Sequence, residues 1–374
     1  MTPSAAADDL PDTEPGDPLD EPRRTGDTGS RPTIAVLLAQ DLAPPPRLEP
    51  LEGRVRWRFT DAAGLAYAVR GADALLLWDF FSSALADAWS ACDRLTWVHV
   101  AAAGVDTLLF DGLRASDVVV TNARGTFDRP IAEFVAASVL AHAKALHESH
   151  DLQRRRQWRH RETRSVAGAR ALVVGTGAIG REIARTLRGL GLRVDGAGSW
   201  ARPGYLEEGD PDFAVVVDSA RLVEHVGDVD YLVNAAPLTP ATTGLIGAPV
   251  FAALKPGAHL VNIGRGAGVD EAALLAAIDS GRLDGASLDV FATEPLPADS
   301  PLWEAPGVVV SPHMSGDVVG WRDTLARQFV DNAERWLAGE PLVNVVDKQL
   351  GYVRAATQEA TQEAAQEAAQ EATP

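Results

Sequence analysis

One short stretch limits what this chain can fold into more than any other. Ala171-Leu172-Val173-Val174 reads as a buried strand and runs straight into Gly175-Thr176-Gly177-Ala178-Ile179-Gly180; Ile179, Ile183, Ala184, Leu187 and Leu190 then fall on one helical face. A lone GxGxxG carries little weight, but between a strand and a helix it marks a dinucleotide-binding βαβ unit. Gly175 permits the tight turn, Gly177 lets the backbone approach a pyrophosphate, and Gly180 lets helix and strand pack closely. The free amides and dipole at the helix start, Ala178 and Ile179, then face the phosphates. A glycine-rich turn that binds nothing is the alternative.

The rest of the chain repeats the same grammar. Strand patterns fall at Thr33–Leu38, Ala74–Trp78, Trp97–Ala101, Val118–Asn122, Ala169–Val174, Leu192–Ala197, Tyr231–Ala235, His259–Ile263, Ala286–Leu288 and Val308–Val310. Helical patterns fall at Pro130–Glu148, Ile179–Leu190, Asp270–Ser280 and Trp321–Ala338. Such alternation builds parallel sheets covered by helices on both faces. The 374 residues suit two α/β domains, one sheet before about Asn122 and one after it. Residues 1–30, rich in Asp, Pro, Gly and Thr, lack apolar periodicity and read as disordered, and residues 355–374 read as a low-complexity Gln-Glu-Ala tail.

Composition narrows the partners. A formal net charge of -18 argues against nucleic acid and anionic membrane surfaces. The basic run Arg154-Arg155-Arg156-Gln157-Trp158-Arg159-His160-Arg161 reads as a solvated or dimer-spanning arm, or as a partner for carboxylates. The single cysteine, Cys92, excludes an intrachain disulfide and cysteine metal clusters, and no metal site is expected. No apolar run is long enough to span a membrane, and the start of the chain does not read as a secretory signal, so the cytoplasm is the expected location.

The strand after the glycine loop bears on cofactor choice. An NAD site places an acid at its end to hold the adenine ribose. Here the strand ends Gly198-Ser199-Trp200-Ala201-Arg202, with no carboxylate. Ser199 and Arg202 suit a 2′-phosphate, so NADP(H) is favoured over NAD(H); an Arg202 that stacks on adenine or faces solvent is the alternative. Asp195 has the opposite parity to position 198 and points away.

Three later segments stand at loops after strands, where open α/β sheets hold ligands. They are Val261-Asn262-Ile263-Gly264-Arg265-Gly266, Leu288-Asp289-Val290-Phe291-Ala292-Thr293-Glu294-Pro295 and Ser311-Pro312-His313-Met314-Ser315-Gly316. With Ala103-Gly104-Val105-Asp106, Ile131-Ala132-Glu133-Phe134, Pro237-Leu238-Thr239-Pro240 and Gly339-Glu340-Pro341-Leu342-Val343-Asn344, they make a sequence that resembles the D-isomer-specific 2-hydroxyacid dehydrogenase family from about Ala74 to Asp347. Leu76-Leu77-Trp78-Asp79 and the missing strand-end acid look most like its glyoxylate/hydroxypyruvate reductase branch.

The resemblance implies two Rossmann-like or flavodoxin-like parallel-sheet domains, with an NAD(P)-binding domain (123–310) inserted into a substrate domain (31–122 and 311–350). It implies that Arg265 holds the substrate carboxylate and 2-oxygen, that His313 is the general acid or base, and that Glu294 favours protonated His313. Gly104 and Val105 would offer amides to the carboxylate, and Asp289 would bind the nicotinamide carboxamide. Ala236, Pro237, Ile263, Gly264 and His313 would also border the cofactor. Family members dimerise through the cofactor domain, so a homodimer is implied.

These residue types suit the chemistry in their own right. Hydride transfer to a ketone creates an alkoxide, which needs a proton and a fixed positive charge. Histidine titrates near neutrality, a carboxylate stabilises imidazolium, and a guanidinium grips a carboxylate through a permanent fork. Trp78, with Phe80 and Phe81, either lines a pocket for the substrate side chain or belongs to the strand-end core; Trp321 is a second aromatic near the cleft. His99, His142, His147 and His225 read as structural. The expected activity is NAD(P)-dependent interconversion of a 2-keto acid and a D-2-hydroxy acid. A dehydrogenase of bulkier or phosphorylated acids, and a dinucleotide-sensing, corepressor-like binding module, are the alternatives.

Overall fold

A computed structural model describes residues 31–39, 42–205 and 209–354. The proposed disordered start and the Gln-Glu-Ala tail lie outside the described residues. Two parallel sheets dominate the rest. The first contains β1 (Thr33–Leu37), β2 (Arg56–Thr60), β3 (Ala74–Leu77), β4 (Trp97–Val100) and β5 (Val119–Asn122), in the order β2-β1-β3-β4-β5. The second contains β6 (Arg170–Val174), β7 (Arg193–Gly198), β8 (Arg202–Pro203), β9 (Val215–Asp218), β10 (Tyr231–Asn234), β11 (Ala258–Asn262), β12 (Leu283–Leu288) and β13 (Val308–Val310). Its order is β13-β12-β11-β10-β6-β7-β9-β8, with β8 alone antiparallel.

The inner strands are apolar runs because helices cover both sheet faces; β1, β3, β4, β10 and β11 are buried at every position. Leaving β6, the chain first builds outward through β7 and then returns to add β10 on the other side. That reversal opens a crevice at the carboxyl ends of β6 and β10, where this fold class binds ligands. The glycine loop after β6 lies there.

The chain's C-terminal part rejoins the first sheet. The Asn122 amide donates to the Asn344 carbonyl at 3.3 Å, and Val346 donates to Val120 at 2.8 Å. The helix Trp321–Ala338 stacks Phe329 on Trp97 with ring centroids 5.5 Å apart. Both rings are fully buried, and burying a large apolar side chain stabilises by about 1.5–3 kcal/mol.

One expected helix changes, and some strands escape the sequence pattern. The single helix expected over Pro130–Glu148 is two helices, Asp128–Ala143 and Leu146–Arg154, separated at Ala145 with φ +48°. The apolar repeat Ile131, Ala132, Val135, Val139, Ala143 ends there, and exposed Leu146 offers nothing to extend it. β2 escapes the sequence pattern because it is an edge strand, whose arginines reach solvent. The short β9 escapes it because only its two middle residues are buried. Cys92 follows the 3₁₀ turn Trp89–Ala91, and burial, with Asp93 beside it, pushes its thiol up to about 11.

Candidate active site

The glycine loop has the shape its sequence implies. Gly175 sits at φ +102°, and a Cβ there would meet the Ala235 carbonyl oxygen at 2.6 Å. A Cβ on Gly180 would lie 1.9 Å from the Gly175 carbonyl oxygen, so the helix start presses directly on the turn. Gly177 differs: no atom lies within 4 Å of its Cβ position. The first helical turn after β6, Ala178 onward, therefore begins beside open space that a side chain would narrow, a cradle that suits a pyrophosphate against helix amides. Across the crevice, Ala236 follows β10 and Gly264 follows β11. A Gly264 Cβ would stand 2.8 Å from the Ala236 oxygen, so these two loops touch; Ile263 and Ala236 are buried and Pro237 is exposed at the rim.

At the end of β7 the backbone reaches Gly198, Ser199 is exposed, and Arg202 turns back along β8. Arg202 Nη1 lies 3.6 Å from the position of a Gly198 Cβ. Its Nε and Nη2 donate to Asp210 at 3.2 and 3.0 Å, and Arg181 donates to the same carboxylate at 2.7 and 2.8 Å. Asp210, tied to both arginines, carried no motif in the sequence. Asp195 is fully buried and receives Arg170 Nε at 2.5 Å, so it is turned away from the strand end as its parity requires.

The loops after β4, β11, β12 and β13 bring the remaining residues together through a chain of contacts. Arg265 packs against Gly104, whose Cβ would fall 1.7 Å from Nη2. Gly266 lies against Phe291 backbone to backbone; a Cβ would stand 1.8 Å from the Phe291 carbonyl carbon. The Phe291 amide donates to Glu294 Oε1 at 2.8 Å, and Glu294 Oε2 meets His313 Nδ1 at 2.7 Å. Burial pulls the Glu294 carboxyl upward, but the hydrogen bonds from His313 and Phe291 and the charges of His313 and Arg265 outweigh it and hold the carboxyl below its usual value. Glu294 thus stays ionised beside the ring and engages Nδ1, so Nε2 is the ring nitrogen turned from the carboxylate.

Asp289 is almost fully buried and holds the His313 turn: it accepts from Ser311 Oγ at 2.6 Å, Met314 N at 2.9 Å and Ser315 N at 3.0 Å. That fills three of a carboxylate's about four acceptor positions. His313 itself has φ +52°, and its amide donates to the Asp289 carbonyl at 2.8 Å.

Trp78 does not line the cleft. It is 2% exposed, and its indole donates to the Ala43 carbonyl at 3.1 Å; a bulky ring at a strand end finds core on both sides of the sheet. The cleft aromatic is Phe81, whose ring stands edge-on to His313 at 5.3 Å. Phe80 packs on it at 4.6 Å, and Trp321 on Phe80 at 6.2 Å. Val105 is buried next to Gly104.

Other residues that the sequence singles out lie away from the site. His99 is buried against Thr121 Oγ1 at 2.8 Å, and burial lowers its pKa to about 3. His142 stacks on His259 at 4.2 Å. In the basic run, Arg159 and Arg161 both pair with Glu148, so those charges meet carboxylate. Among the described residues no helix is long and apolar enough to cross a membrane, and no group of three or more His, Cys, Asp or Glu side chains is placed to hold a metal.

A doubly wound sheet with a glycine loop at its switch point, facing a His–Glu pair and an arginine, defines a nicotinamide-dependent oxidoreductase site. Residues 136–315 match the family described as D-isomer specific 2-hydroxyacid dehydrogenase, NAD binding domain. A glyoxylate/hydroxypyruvate reductase A from Serratia proteamaculans is 31% identical over 265 residues, covering 69% of this chain and 82% of that one. A D-isomer specific 2-hydroxyacid dehydrogenase from Xanthobacter autotrophicus, solved with NADPH, superposes with a TM-score of 0.72 at 32% identity, over 86% of this chain and 100% of that one. An NADPH-dependent glyoxylate/hydroxypyruvate reductase from Sinorhizobium meliloti, solved with NADP and sulfate, gives 0.72 at 30%, with the same coverage.

The chain belongs to the D-isomer specific 2-hydroxyacid dehydrogenase family, in the branch similar to glyoxylate/hydroxypyruvate reductase A. It is an NAD(P)-dependent oxidoreductase of 2-hydroxy acids. The corepressor-like module is not favoured.

Proposed function

We propose that the protein reduces a small 2-keto acid, of the glyoxylate or hydroxypyruvate type, to its D-2-hydroxy acid, with NADPH preferred over NADH. Bound nicotinamide supplies the hydride. Arg265 holds the substrate carboxylate and polarises the 2-oxygen, and amides of Gly104 and Val105 take the other carboxylate oxygen. His313 protonates the 2-oxygen as its charge develops, and Glu294 holds the imidazolium form ready. Asp289 takes the carboxamide and keeps the His313 turn in place. Gly175, Gly177, Ala178, Ile179 and Gly180 hold the pyrophosphate; Ser199 and Arg202 take the 2′-phosphate; Ala236, Pro237, Ile263 and Gly264 border the nicotinamide half.

The observation that carries this assignment is the 2.7 Å His313–Glu294 pair, linked through the Phe291 amide and Gly266 to Arg265 on the neighbouring loop. Phe81 replaces Trp78 as the wall for the substrate side chain. The NADP(H) preference rests on the missing strand-end acid and the adjacent Arg202. The cofactor domain (123–310) is inserted into a substrate domain formed by 31–122 and 311–350. The protein works as a cytoplasmic homodimer. Initial rates of NADPH and NADH oxidation with glyoxylate, hydroxypyruvate, pyruvate and a branched 2-keto acid test the proposal. It predicts turnover with NADPH favoured and small acids fastest; equal rates with both cofactors, or none with any acid, would refute it.

A further inference from the structure

We infer that Asp106 is a positioning residue for Arg265, fixing its guanidinium plane so that one fork stays open for the substrate carboxylate. The inference rests on the assignment of Arg265 as carboxylate ligand. Arg265 sits on the loop after β11, whereas Asp106 sits on the loop after β4 in the other sheet. They meet across the cleft: Nε donates to Oδ1 and Oδ2 at 3.0 and 3.2 Å, and Nη2 lies 2.9 Å from Oδ1.

A guanidinium has five N–H donors in a rigid plane. Asp106 takes the edge made by Nε and Nη2, and the Gly264 carbonyl takes one donor of Nη1 at 2.9 Å. N–H donors remain on both Nη atoms, and a fork across the two matches a carboxylate bidentately. Gly104 closes the side of the group, since a Cβ there would overlap Nη2. A freely rotating arginine would lose rotamer freedom on gripping a substrate, and one already held loses less. The side chains of Arg265 and Asp106 are 29% and 21% exposed, so solvent screens the pair less than an ordinary surface ion pair. Because its two members come from different sheets, the tie also aligns the substrate loop with the cofactor-side loop.

The test measures KM and kcat for glyoxylate and KM for NADPH in the full chain carrying Asp106→Asn, Asp106→Ala, Asp106→Glu or Arg265→Lys. Asp106→Ala should raise the glyoxylate KM about ten- to hundredfold, as expected for loss of charged hydrogen bonds. Asp106→Asn, which keeps an acceptor oxygen, should raise it less, and Asp106→Glu should restore part of the loss. KM for NADPH should not change in any Asp106 variant, which separates positioning from general damage. In Arg265→Lys, which lacks the side fork, adding Asp106→Asn should cost little more. An unchanged or lowered glyoxylate KM in Asp106→Asn, with a raised one in Arg265→Lys, overturns the positioning role alone. An unchanged KM in Arg265→Lys overturns the carboxylate assignment beneath it.

Discussion

Substituting Gly104 by alanine perturbs the site at the point where the two loops are closest. The new methyl would stand 1.7 Å from Arg265 Nη2, 2.8 Å from Cζ and 3.1 Å from Asp106 Oδ1. Carbon contacts settle at about 3.5–4.0 Å, so the guanidinium must retreat by roughly 2 Å. It cannot do so freely, because Nε is tied to Asp106 and Nη1 to the Gly264 carbonyl. Each charged hydrogen bond given up costs about 1.5–3 kcal/mol. The open fork also leaves its position, and a displacement of about 1 Å near the chemistry can cost ~10²-fold in rate. Gly104→Ala should therefore lower kcat/KM for glyoxylate by about 10²-fold or more, chiefly through KM. Because the ion pair is partly exposed, folding stability should fall by only about 1 kcal/mol. Steady-state kinetics and thermal melts of the same preparation read both numbers. Wild-type KM in a folded Gly104→Ala protein would refute the claim that Arg265 grips substrate from this position.

Other substitutions separate the remaining roles. Glu294→Gln should slow keto-acid reduction by up to ~10²-fold, less than loss of His313 itself. The folded-state carboxyl of Glu294 lies below its usual value, so its contribution to stability is present above the unfolded pKa of about 4.3 and is lost as pH falls below it; thermal melts between pH 6 and 3 should show a shallower loss in Glu294→Gln than in wild type. Arg202→Ala should raise KM for NADPH about tenfold or more while leaving NADH nearly unaffected, and Gly198→Asp should move preference toward NADH, both read by paired cofactor titrations. Trp78→Phe should cost about 1 kcal/mol of stability through the lost indole hydrogen bond to Ala43 and leave substrate KM unchanged, whereas Phe81→Ala should raise that KM.

Sequence reasoning reached the parts whose chemistry is local. The glycine loop could be read because strand, turn and helix are contiguous; Gly175 and Gly180 stand in close backbone contact, and Gly177 borders open space. Arg265, Glu294 and His313 could be grouped because each lies in a short motif after a strand, and the structure brings those loops together. What sequence concealed depends on contacts between distant segments. Asp106 was visible within Ala103-Gly104-Val105-Asp106, yet its partner lies 159 residues on. Asp210 shares Arg181 and Arg202 with no repeat or spacing to announce it. Trp78 and Phe81 were ambiguous because a period-two pattern breaks down where a strand ends, and only packing decided that the tryptophan goes inward and Phe81 meets His313. The break at Ala145 was hidden for a similar reason, since helical propensity continues past the point where the apolar face stops.

In the proposed reaction His313, poised by Glu294, delivers the proton that accompanies hydride transfer. Single-turnover oxidation of bound NADPH by saturating glyoxylate, in wild type and His313→Ala, tests it most directly, with NADPH affinity measured separately by fluorescence titration. The single-turnover rate should fall by about 10²–10⁴-fold with NADPH affinity unchanged. A His313→Ala protein that oxidises NADPH at close to the wild-type rate would contradict it.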